Sequence, residues 1–265
     1  MQDFVRRLTV SVLLIPIMVC LIWYAFQPIV QLIIVFLAAL LAAVSMWEYE
    51  QLARNKGGRV LFHFLAIVTI AEVVSFVLPF PYLPMAVFGA GLLGLFALHF
   101  NKNPGAIVDL AVSTFGLVYI AVPVGMMLGV LYFPCVDGRL WLAYLIAVTK
   151  LTDVGAYFCG TLLGRVKLAP HISPGKTVEG ALFGLACALA TSYGFSCLLP
   201  LSTMQSVFLG LILGTVGQFG DLAESLLKRD ANKKDSNNLP GLGGGLDAID
   251  SLLFTAPILY IYLLI

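Results

Sequence analysis

The sequence predicts an all-α integral membrane protein, a polytopic bundle of about nine transmembrane helices with its N-terminus in the cytoplasm. Three observations predict it. Hydrophobic residues make up 60% of the 265 residues and charged residues only 11%, with a mean hydropathy of +1.00, which leaves too little polar surface for a soluble domain. Apolar runs close to the ~20 residues needed per crossing recur along the chain. The basic residues, threaded through those runs, fall almost entirely on one side.

The runs lie at Val10–Phe26, Ile29–Met46, Val60–Leu78, Leu83–Phe100, Ala106–Phe133, Leu140–Leu162, Val178–Leu199, Val207–Gly220 and Ile249–Ile265. The first follows Arg6 and Arg7 as a signal peptide would, but no small-residue cleavage site precedes the next run, so it reads as a retained helix. The fifth is long, carries Asp109 and Pro123, and is expected to tilt, kink or divide. With the N-terminus inside, Arg6, Arg7, Arg54, Lys56, Arg59, Lys102, Arg165, Lys167, Lys176, Lys228, Arg229, Lys233 and Lys234 are cytoplasmic, thirteen of the fifteen basic residues. Only Arg139 falls outside and Lys150 within a span. The external connections, around Gln27, Pro79–Pro81, Pro134–Gly138 and Pro200–Gln205, are short and nearly uncharged, so chemistry is expected on the cytoplasmic face.

Residues 1–133 hold few polar clusters and read as a transmembrane scaffold region. Residues 134–265 hold most of them and read as the catalytic region, with cytoplasmic loops 163–177 and 221–248. A net charge of +1 without a basic arm argues against a nucleic-acid partner and leaves membrane lipids and small ligands. The five cysteines lack CxxC spacing and read as small hydrophobes. His63, His99 and His171 have no metal-ligand spacing, Trp23, Trp47 and Trp141 read as interface anchors, and Glu72 and Asp109 are intramembrane carboxylates or lie near span ends.

The densest polar segment is Gly220–Ser251. If the helix before it continues past the membrane surface, Asp221, Ser225, Lys228 and Arg229 fall at i, i+4, i+7 and i+8, on one face. Asp247 and Asp250 share a face at the start of the next helix, directly after the glycine-rich run Gly241–Gly245. Carboxylates beside cations suit a hard, oxygen-liganded cation and its bound phosphates, hence phosphoryl or nucleotidyl chemistry; the plainer alternative is a solvated connector. A second cluster runs from Lys150 to Gly180. Lys150 and Asp153, at i and i+3 inside a span, are either functional or simply paired. Ser173, Lys176 and Thr177 stand just before a helix, where hydroxyls cap free N–H groups and, with a lysine, bind phosphate.

These two segments resemble the phosphatidate cytidylyltransferase (CDP-diacylglycerol synthase) family. Ser225, Lys228, Arg229, Lys234, Asp235, Pro240, Gly241, Gly243, Gly244, Asp247 and Asp250 match the family's C-terminal signature. One residue is missing before Pro240, Leu242 stands in place of a histidine and Ala248 in place of an arginine. Asp153, Gly155, Ala156, Tyr157, Lys167, Leu168, Pro170, Ser173, Pro174, Lys176, Thr177, Glu179 and Gly180 match its second motif. The resemblance covers residues 150–260 and implies a bacterial inner-membrane enzyme facing the cytoplasm that transfers CMP from CTP to phosphatidate, giving CDP-diacylglycerol and pyrophosphate. It further implies Mg²⁺ held by Asp221, Asp247 and Asp250, with a monovalent cation compatible beside it. Ser225, Lys228, Arg229 and Lys234 would join Asp221 and Asp247 in the catalytic set, and Asp153, Ser173, Lys176, Thr177, Asp235, Gly243 and Gly244 would bind substrate. A homodimer is compatible with such a chain. The rival readings are a CTP-dependent polyprenol or phytol kinase, a transporter using Lys150, Asp153, Glu72 and Asp109 as a relay, and an inactive homologue.

Overall fold

The computed structural model describes residues 16–58, 60–100, 105–233 and 244–265. It is an all-α membrane architecture. Residues 16–23 form α1, followed by α2 (Pro28–Arg54), α3 (Phe62–Ser75), α4 (Leu83–His99), α5 (Ala106–Gly116), α6 (Val122–Leu131), α7 (Gly138–Leu163), α8 (Val178–Phe195), α9 (Thr203–Asp230) and α10 (Gly245–Leu264). Among the described residues, six helical segments are long and apolar enough to cross a membrane, while α3 and α4 are shorter apolar helices.

The long fifth run is one continuous helical stretch, neither divided nor broken. Its α5 and α6 halves join through a π-turn over Leu117–Ala121. Pro123 explains the turn: proline lacks an N–H and its ring collides with the carbonyl four residues back, Tyr119, so widening the helix there relieves the clash.

The polar loop before α8 is not wholly irregular. Lys167–Ala169 (β1) and Ser173–Thr177 (β2) form an antiparallel hairpin, pairing Lys167 with Thr177 and Ala169 with Ser173. The alternation needed to read so short a hairpin from sequence is absent, because its register shifts between the two pairs.

The chain divides into two units. One holds the residues up to Tyr132 together with Ala231–Ala248; the other holds Phe133–Asp230 and Ile249–Ile265. In the second unit α7, α8 and α9 approach closely through small residues, as helices do where lipid supplies no hydrophobic driving force. A Cβ added at Gly184 would meet the Thr152 carbonyl oxygen at 2.8 Å and the Ala156 Cβ at 2.9 Å, and one at Gly210 would meet the Ser192 Cβ at 2.8 Å. Tyr144 and Ser192 share a buried hydrogen bond of 2.7 Å, and the Ser192 hydroxyl donates to the Ser206 carbonyl. Trp141 is not an interface anchor: it is 3% exposed and packs on Tyr144 and Tyr262. In the first unit Tyr49 donates to the Val112 carbonyl at 2.9 Å, and Asp109, in the first turn of α5, faces His99 at 3.9 Å.

Candidate active site

Helix α9 runs on to Asp230, ten residues beyond the end of its apolar run, and carries Asp221 in its polar extension. Lys176, on β2, reaches Asp221 with Nζ–Oδ2 2.8 Å. Lys176 Nζ is buried and makes no directional hydrogen bond among the described residues, so the pair is electrostatic. Thr177 ends the strand and caps α8, its Oγ1 accepting from the Gly180 N–H at 3.2 Å. Glu179, the second residue of α8, accepts from the backbone N–H groups of Arg165 and Val166 and so ties the hairpin's entry to the helix start.

These elements enclose a cavity of about 390 Å³, within the usual range for ligand sites. Asp153, Ser173, Lys176, Thr177, Gln218 and Asp221 line it, with Tyr157 and Gly160 of α7. Five of the predicted site residues, Asp153, Ser173, Lys176, Thr177 and Asp221, thus share one wall-to-wall space. Lys150 and Asp153 do pair, at 3.7 Å, but not in isolation. Ser251 bridges them, accepting from Lys150 Nζ at 3.2 Å and donating to Asp153 Oδ2 at 3.0 Å. Asp250 lies beside this bridge, within electrostatic reach of Asp221, Asp153 and Lys150, and accepts from the Ser251 N–H at 2.6 Å.

The predicted shared face of α9 is only partly realised. Lys228 pairs with Glu224 at 2.8 Å, both side chains being largely buried. Arg229 donates from Nε to the Ile172 carbonyl at 3.1 Å, clasping the hairpin turn. Ser225 is half-buried on the same stretch. Asp247 accepts from the Gly244 N–H at 2.9 Å, reaching back over the first turn of α10 as in a capping box, and Gly244 spends its N–H there. Lys234, Asp235, Pro240, Gly241, Leu242 and Gly243 lie outside the described residues.

Sequence reasoning missed Glu224, Ser251, Gln218 and Glu48. Glu224 was legible as the i, i+4 partner of Lys228. Glu48, fully buried on α2, accepts from the Gly245 and Leu246 N–H groups at the start of α10, a pairing across nearly two hundred residues that no local pattern announces.

A divalent cation fits the donor set. Asp221, Asp153 and Asp250 bring carboxylates together among lysines, though among the described residues no three His, Cys, Asp or Glu side chains are grouped to hold an ion by themselves. Mg²⁺ suits that arrangement, because it takes one or two carboxylates and completes its shell with water and substrate phosphates.

Comparison with known proteins identifies the family. The sequence model of the family described as the cytidylyltransferase family matches residues 5–265. A phosphatidate cytidylyltransferase of Chlamydia pneumoniae is 34% identical over 99% of this chain and 92% of its own length. One from Synechocystis is 31% identical over 86% of this chain and 87% of its own, and one from Bacillus subtilis is 47% identical over 48% of each. An apolar helical bundle that sets Asp153, Lys176 and Asp221 around one cavity, and whose sequence is matched along nearly its whole length, belongs to the cytidylyltransferase family.

Proposed function

We propose that this chain transfers CMP from CTP to phosphatidate, giving CDP-diacylglycerol and pyrophosphate. The Lys176–Asp221 pair inside a cavity that Asp153, Ser173 and Thr177 also line is the observation that carries the reading. Nine spans with a cytoplasmic N-terminus, in a bacterial inner membrane, would set the cavity on the cytoplasmic side; the basic-residue asymmetry supports that orientation.

The nucleophile is a phosphatidate phosphate oxygen. It attacks the α-phosphorus of CTP, the bond from that phosphorus to the bridging oxygen of the β-phosphate breaks, and the electron pair leaves with pyrophosphate. An ionised phosphate needs no general base, so positioning and charge neutralisation supply the acceleration. Lys176 exchanges its contact with Asp221 for a phosphate oxygen, while Ser173 and Thr177 offer hydroxyls to the same group. Lys150, held by Ser251 and Asp153, supplies a second cation. Lys228, Arg229 and Lys234 are the further phosphate ligands, with Ser225, Asp235 and the glycines Gly243 and Gly244 shaping the nucleotide's surroundings. Asp221 and Asp250, with Asp247 one turn before Asp250 on α10, would hold Mg²⁺, which would supply positive charge for the triphosphate and for pyrophosphate.

Product identification from CTP and phosphatidate tests the reading. Pyrophosphate with CDP-diacylglycerol is expected; CDP with a phosphorylated lipid alcohol would instead mark the polyprenol-kinase class.

A further inference from the structure

The end of α2 carries Ser45, Glu48, Glu50, Gln51 and Arg54 after a long apolar run, with Arg54 paired to Glu50. Glu48 is fully buried, and its two carboxylate oxygens each accept one backbone N–H of α10, from Gly245 and from Leu246, both at 2.9 Å. A helix start leaves its first N–H groups unsatisfied and partly positive, and a buried carboxylate without partners is costly. Each answers the other. Gly245 permits the approach: a Cβ there would meet Val44 Cγ1 at 3.2 Å and Ser45 Oγ at 3.4 Å. Lys233 also reaches α2, donating to Gln51 Oε1 at 3.5 Å, one turn from Glu48. With Gly244 donating to Asp247, three N–H groups at the start of α10 are spent within the protein and are not left for a phosphate.

We infer that Glu48 is a positioning residue, which fixes α10 along its axis and thereby aims Asp247 at the divalent cation. The inference rests on the reading of Asp247 as a metal ligand. Glu48 touches neither substrate nor metal; its work is done through two backbone N–H groups and the rigid first turn that follows them.

The test uses the full chain, purified in lipid–detergent micelles, as wild type, E48Q, E48D and D247N. Three quantities are measured: the Mg²⁺ dependence of CDP-diacylglycerol formation, Mn²⁺ binding by electron paramagnetic resonance, and the melting temperature. E48Q keeps one acceptor and turns an amide N–H₂ towards the other donor. It is expected to raise the Mg²⁺ concentration for half-maximal rate and the Mn²⁺ dissociation constant in parallel, by about 10- to 100-fold as for other residues that orient a metal ligand. The KM for CTP at saturating metal stays near the wild-type value, and E48D, which keeps both oxygens on a shorter stem, falls between wild type and E48Q. A folded E48Q with wild-type metal dependence, or a lower melting temperature with no change in metal affinity, overturns the inference. Should E48Q not fold, E48D decides by the same criterion. D247N separates the two readings. If it weakens metal binding while E48Q does not, the positioning role alone fails; if D247N leaves metal binding intact, the metal assignment fails and this inference with it.

Discussion

Replacing Lys176 with methionine removes the ammonium that meets Asp221 at 2.8 Å while keeping most of the side chain's volume. In the catalytic reading that ammonium moves to a phosphate oxygen in the transition state. A charge pair at ~4 Å in an effective dielectric of ~20 is worth about 4 kcal/mol. A hydrogen bond to a charged group contributes about 1.5–3 kcal/mol net. The Lys176 side chain is 25% exposed, so solvent screening favours the lower part of this range. A loss of about 1.5–3 kcal/mol corresponds to a fall in kcat/KM of roughly 10- to 150-fold. Stability should change little, because Asp221 is 34% exposed and an accessible ion pair contributes about 1 kcal/mol or less. Initial rates of CDP-diacylglycerol formation from labelled CTP in mixed micelles, with a melting curve alongside, read both quantities. A Lys176→Met protein that melts like wild type and keeps kcat/KM within about threefold for both substrates, against the ~10-fold floor set by the charged hydrogen bond, would refute the reasoning.

Asp247→Asn retains an oxygen to accept the Gly244 N–H, so the cap at the start of α10 is kept while a metal-binding charge is lost; turnover should fall and the Mg²⁺ requirement rise with the melting temperature unchanged. Thr177→Val removes the cap on α8 and should cost about 1 kcal/mol in thermal or denaturant unfolding, whereas Thr177→Ser, which keeps the hydroxyl, should not. Gly184→Leu forces a side chain against the Thr152 carbonyl and Ala156, an overpacking cost of about 1–3 kcal/mol that fluorescence-detected size exclusion after heating should register. Chelation with EDTA should abolish turnover, and added Mg²⁺ should restore it.

The parts legible in the sequence were those written in local spacing. Hydropathy located the helices, and the shared face of Asp221, Ser225, Lys228 and Arg229 was conditional on the helix running on past Gly220, as α9 does to Asp230. Lys176 stood out because capping needs a hydroxyl but not an ammonium, and the structure puts that ammonium on Asp221. Contacts between distant segments were not legible. Ser251 bridges Lys150 and Asp153, about a hundred residues earlier, and no local spacing connects them. Glu48 sits between Trp47 and Tyr49 with no charged neighbour of opposite sign, since its partners are backbone N–H groups, which every residue but proline has and no motif records. Arg229 and Lys228 shared a predicted face with Asp221, but Glu224 and the Ile172 carbonyl were nearer partners than the phosphate-binding reading supplied.

The central claim is the bond that breaks in CTP. Purified protein incubated with phosphatidate and Mg²⁺ should move label from α-³²P-CTP into the lipid and leave label from γ-³²P-CTP in pyrophosphate. Label from γ-³²P-CTP in the lipid, with CDP as the other product, would contradict nucleotidyl transfer.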